Sequence, residues 1–148
     1  WLRAYPADFP MNTDLAAQDA IDRLNKVGFA NLSKLDKTLA ACWLFDAGVN
    51  NTGFARYYAG KRGNQAFYAP LALRTIGARQ LARIAAEANA FFGPEGPSPD
   101  RDIRRGQLAA LPEAARQEFT RLEERYVNAE EDVDDFLEAY LNRTLPQK

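Results

Sequence analysis

Apolar residues recur every three or four positions along almost the whole chain, and no stretch alternates with period two for long enough to argue a strand. Leu32, Leu35, Leu39, Cys42, Trp43 and Ala47 keep this spacing, and so do Leu81, Ile84, Ala85, Ala88 and Phe92. Spacing of that kind places apolar side chains on one face of a helix, and burying such faces requires helix to pack on helix. The pattern therefore predicts an all-α fold. The 148 residues are enough for one domain with its own core, burying roughly 70% of the surface of the unfolded chain. No fixed-period repeat is present, so the expectation is a single compact bundle of about seven or eight helices over residues 1–148.

Local punctuation places the helices. A cap cluster, Met11-Asn12-Thr13-Asp14, predicts a first helix over 14–27, ended by Gly28, with Leu15, Ile21 and Leu24 inward. Asn31 or Ser33 opens a second, with Asp36 as the acidic partner of a capping box, and Gly48 or the next residue or two ends it. Asn64 is expected to cap a third that runs to Ile76, kinked at Pro70 or starting near Ala69; Gly77 then separates it from an alanine-rich helix ended by Gly93. After the Pro-rich loop 93–100, Asp100 caps a short helix, and Pro112 starts one carrying Phe119, Leu122 and Tyr126. The last is expected over 129–142.

Composition removes several chemistries. With no histidine and one cysteine, Cys42, the chain cannot form an internal disulfide, a Cys/His zinc site or a His-dependent catalytic triad. Neither GxGxxG nor GxxxxGK[ST] occurs, so the familiar phosphate-cradling loops are absent. The expectation is no cofactor and no metal. No apolar run approaches the ~20 residues that span a bilayer, so no membrane contact is expected and the cytoplasm is the favoured compartment. What remains open to catalysis is carboxylate chemistry, for which Asp46, at the end of an apolar helix and near Trp43, Phe45 and Phe54, is the candidate.

Charge is unevenly distributed. Residues 112–148 carry a net −5 and residues 1–111 a net +4. The sharpest feature is Glu130-Glu131-Asp132-Val133-Asp134-Asp135, continued by Glu138. On one continuous helix, Glu130, Asp134 and Glu138 would form a row with about 6 Å per step, and Glu131 and Asp135 a second row. Such a ladder could imitate a phosphate backbone, or could simply be the polar face and favourably charged first turns of a terminal helix. Arg101, Arg104 and Arg105, with Lys61 and Arg62, could bind an anion or pair with this acidic segment. A pI near 5.5 is the wrong sign for a general nucleic-acid binder, so direct nucleic-acid binding is not expected.

The segment Val49-Asn50-Asn51-Thr52-Gly53-Phe54-Ala55-Arg56-Tyr57-Tyr58 admits two readings. Asn50, Asn51 and Gly53 suit a turn that returns Phe54 and Tyr57 to the core, or these five residues form a polar surface.

The order of this segment, then "ALRTIGARQLARIAAEANAFFG", a Pro-rich loop leading to "PDRDIRR" and an acidic C-terminal helix, resembles the bacterial DNA-mimic-protein family over about residues 30–142, with helix 14–27 added. This chain departs from the family's usual pattern at Thr52, Arg56, Tyr58 and near Gly60. The resemblance implies an all-α domain of otherwise unknown function that binds proteins. The resulting expectation is a non-enzymatic protein-interaction module, its binding residues Glu130, Glu131, Asp134, Asp135 and Glu138 or the surface of Asn50, Asn51, Gly53, Phe54 and Tyr57. Its sharper alternative is a DNA mimic whose acidic segment occupies the DNA-binding face of a basic protein. A carboxylate-dependent enzyme is the second alternative. The partner expected is a protein, a DNA-binding protein under the DNA-mimic alternative, and a homodimer is compatible with a small helical chain.

Overall fold

The computed structural model describes residues 13–144 and contains seven α-helices, with no strand among those residues. They are α1 (Thr13–Val27), α2 (Lys34–Ala59), α3 (Ala69–Thr75), α4 (Arg79–Ala90), α5 (Arg101–Ala109), α6 (Glu113–Asn128) and α7 (Val133–Thr144). Single 3-10 turns, Phe29–Asn31 and Lys61–Gln65, flank α2. The all-α expectation holds.

Helix α2 is the hub, packed against α1, α3, α5, α6 and α7. Its Leu39, Phe45, Phe54, Tyr57 and Tyr58 are buried together with Leu73, Ile76, Leu81, Ile84, Phe119, Leu122, Leu137 and Leu141 in one contiguous core. Aromatic rings fill its centre. Phe45 meets Tyr57 edge-on at 5.4 Å, Phe54 stacks on Phe119 at 5.9 Å, and Tyr58 lies 4.5 Å from Phe92. Full burial of a phenylalanine such as Phe54 contributes roughly 1.5–3 kcal/mol, so these contacts explain why α2 and α6 hold together.

Several helix ends follow from local chemistry alone. Ser33 Oγ accepts the Asp36 N–H at 3.1 Å, Asp100 Oδ1 accepts the Ile103 N–H at 3.0 Å, and Gly28 takes a positive φ of 83° where α1 stops. Helix α3 begins at Ala69 with Pro70 in its first turn, which removes the need for a kink. Asn64 caps nothing there; it lies in a 3-10 turn and its Oδ1 accepts a hydrogen bond from Arg104.

Two boundaries differ from expectation. Helix α2 runs straight through Asn50 and Asn51, and its axis breaks only at Gly53 (φ 83°, ψ 172°). Helix α7 starts at Val133, four residues later than expected, because Asp132 Oδ1 accepts the Asp134 N–H at 2.9 Å and so ends the preceding loop.

Candidate protein-binding site: an acidic groove

The break at Gly53 exposes the Phe54 N–H, which the helix ladder no longer satisfies. Glu123 of α6 supplies the acceptor, with Oε2 2.8 Å away, and Thr52 Oγ1 donates back to the Gly48 carbonyl at 2.7 Å. The second half of α2 is thus capped by a carboxylate from another helix. Phe54 is fully buried and Tyr57 is 2% exposed, with its ring pressed so closely on Gly48 that a Cβ there would lie 2.5 Å away. The surface imagined for Asn50, Asn51, Gly53, Phe54 and Tyr57 therefore does not form as a unit, because Phe54 and Tyr57 point into the core. Asn50 and Asn51 remain exposed on α2.

Asn50 belongs to a different constellation. Its Nδ2 donates to Asp46 Oδ1 at 2.8 Å, one turn back, and the Tyr126 hydroxyl of α6 donates to the same oxygen. Burial raises the Asp46 pKa above its ordinary value; the Tyr126 hydrogen bond opposes that shift and the charge of Asp132 adds to it. Tyr126 itself is driven upward, first by burial and then by the Asp46 charge.

Asp46, Asn50 and Tyr126 line a groove of about 580 Å³ whose opposite wall is the 129–132 loop and the first turn of α7, bringing in Glu130, Glu131, Asp132, Asp134 and Asp135. The candidate carboxylate and the first asparagine, neighbours on α2, converge here with the acidic run from the far end of the chain. The Asp134 pKa is raised by partial burial and then by the negative charges of Asp14, Asp132, Asp46 and Asp135. Glu130, Asp132, Asp134 and Asp135 have no ion pair among the described residues, whereas Asp36, Glu87 and Glu118 are paired with Arg23, Arg125 and Arg121. Negative charge accumulates in this groove without local compensation.

The structure corrects the expected ladder. Glu130 and Glu131 precede α7 and cannot lie in register with Asp134, Asp135 and Glu138 on one helix face. Glu131 is also committed elsewhere, since its two oxygens accept the Gln80 and Leu81 N–H groups at 3.1 and 2.9 Å and so cap α4. Glu138 lies about one turn beyond Asp134 on α7, outside the residues lining the groove. Asp132 was not singled out from the acidic run, and no local pattern announces that Asp46 faces it across the fold. The i, i+4 spacing of Asp46 and Asn50 is the local sign that these two side chains meet.

Arg104 takes neither role expected of the basic cluster. It is fully buried, and its partners are the carbonyls of Tyr58 (2.5 Å), Ser98 (2.9 Å) and Gly60 (2.6 Å) and Asn64 Oδ1 (2.9 Å). A guanidinium at the C-terminal end of α2 satisfies carbonyls the helix leaves open and complements its dipole.

Among the described residues no group of His, Cys, Asp and Glu could hold a metal ion, and no helix is long and apolar enough to cross a membrane. A family model described as DMP19-like protein matches residues 30–144. The chain belongs to the DMP19-like protein family. The matched span takes in α2 to α7, and so contains Asp46, Asn50, Tyr126 and the whole acidic run; α1 lies before it. No curated protein and no solved structure matches this DMP19-like chain.

Proposed function

We propose that this DMP19-like protein is a non-enzymatic protein-interaction module whose acidic groove receives the basic, DNA-binding face of a partner protein. The observation that carries the proposal is the set of uncompensated carboxylates, Glu130, Asp132, Asp134 and Asp135, gathered opposite Asp46. Mutual repulsion of this kind opposes folding, and it adds to the burial that raises the pKa values of Asp46 and Asp134. A cationic partner would supply the opposite charge that these carboxylates lack among the described residues. The family description, DNA mimic protein 19, supports the same reading. On this account Asp46 is the floor of the groove rather than an acid–base catalyst.

The test compares immobilised wild-type protein with an Asp132→Asn/Asp134→Asn/Asp135→Asn variant as bait for cell-extract proteins, eluted with duplex DNA. Asparagine at 132 keeps the oxygen that accepts the Asp134 N–H, so the variant removes charge with little change to α7. A DNA-binding protein retained by the wild type, released by duplex and lost with the variant supports the proposal. Equal retention by both baits refutes it.

A further inference from the structure

A second cavity lies on the side of α2 where α1 packs. It encloses about 620 Å³, within the ~300–1,000 Å³ typical of small-molecule sites. Its apolar wall is built by Ile21 and Leu24 of α1, Phe29 of the following 3-10 turn and Leu44 of α2, each left only half-buried. The wall is held in place. Arg23, on the same helix as Ile21 and Leu24, clamps Asp36 with two bonds of 2.6 and 2.8 Å, while Phe29 is fixed edge-on against Tyr68 at 5.1 Å and beneath Lys37. Gly28 leaves the rim open, since a Cβ there would meet nothing within 4 Å.

The remaining boundary is polar and positively charged. Lys61 and Arg62, exposed in the 3-10 turn after α2, line the cavity and have no carboxylate partner among the described residues. Beside them Gln65 is 8% exposed, and its buried Oε1 accepts no hydrogen bond. A buried acceptor left unpaired loses its hydration without replacement, which calls for a donor. Asn64, the neighbouring wall residue, has its carbonyl oxygen taken by Arg104, leaving its NH₂ group as a donor.

From this arrangement we infer that the cavity between α1 and the 61–65 turn binds a small organic anion with an apolar body, its acidic group held by Lys61 and Arg62 and an N–H meeting Gln65. The chemistry matches at each end: the apolar wall removes a hydrocarbon or aromatic body from water, and two unpaired cations face the anionic group. Three of its four apolar wall residues precede the family-matched span, so the site is distinct from the acidic groove and its test is independent of that proposal.

The probe is 8-anilinonaphthalene-1-sulfonate, which combines an aromatic body, an anilino N–H and a sulfonate, titrated by fluorescence against the folded protein near neutral pH. One saturable site is expected, with the amide signals of Gly28, Phe29 and Gln65 shifting in NMR spectra. Lys61→Gln/Arg62→Gln should weaken binding about tenfold, since both side chains are exposed and the change spares the core. Arg79→Gln/Arg83→Gln, altering a different surface cleft, should leave it unchanged. Octanoate should displace the probe and octanol should not. Absence of a saturable site, undiminished binding by the Lys61/Arg62 variant, equal displacement by octanol, or shifts confined to other residues would overturn the inference.

Discussion

Glu123 of α6 holds the backbone N–H of Phe54 at 2.8 Å, across 69 positions of sequence, at the point where Gly53 breaks α2. The two residues define one device: the positive φ of Gly53 frees the donor and the carboxylate receives it. Glu123→Ala is expected to destabilise the protein by about 1–3 kcal/mol, read as a lower urea midpoint, because a helix-terminal donor loses a charged acceptor. Gly53→Ala should be destabilising as well, since its backbone lies in the left-handed region and its Cβ would sit 2.9 Å from Glu123 Oε2. A midpoint unchanged in both variants would show that the break does not depend on this contact.

Arg104 leads to a second expectation. Its guanidinium joins α5 to the end of α2 through three carbonyls and Asn64, and Arg104→Met would leave those acceptors buried without donors. The expected loss is about 3 kcal/mol or more. Arg104→Lys should recover only part of it, because an ammonium cannot reproduce the planar fork. Gly63→Ala should act in the same region, since a Cβ would collide with the Tyr57 carbonyl oxygen and crowd Arg104 Nε at 3.1 Å.

These two devices also mark where sequence reasoning stops. The ends of α1 at Gly28 and of α3 near Gly77, and the caps Ser33 and Asp100, were legible because the cause lies within a few residues of the effect. The persistence of α2 through Asn50 and Asn51 was not, because the compensating acceptor, Glu123, comes from another helix. The same holds for α7, where Glu131 looked like part of a helical row but is used to cap α4. Arg104 reads from the sequence as one member of a basic cluster because its partners are mostly backbone carbonyls, which carry no sequence signature. Of the acidic groove, the run 130–135 was visible; its juxtaposition with Asp46 and Tyr126 required the fold.

Asp46 connects the groove to pH. Its native pKa lies above the unfolded value of 3.8 because burial disfavours the charged form, so the native state binds the proton more tightly. Stability from this group is present below the unfolded pKa and is lost as pH rises through the native pKa. Asp46→Asn is therefore expected to raise the urea midpoint near pH 7, with the gain over wild type shrinking as pH falls through the native pKa towards 3.8 and levelling off below it. Urea titrations of the two proteins across that range decide it; a lower midpoint for the variant at neutral pH would mean that the charged form stabilises the fold.

The most direct test of the central claim is the affinity of the purified protein for a DNA-binding partner obtained by capture, measured by calorimetry as salt is raised and again with competing duplex DNA. If the acidic groove occupies a DNA-binding face, affinity should fall at least about tenfold between roughly 50 and 200 mM salt. Duplex should compete for the same face, and the Asp132/Asp134/Asp135 to asparagine variant should bind weakly at every salt concentration. Binding that is insensitive to salt, coexists with bound duplex and survives removal of the three charges would contradict it.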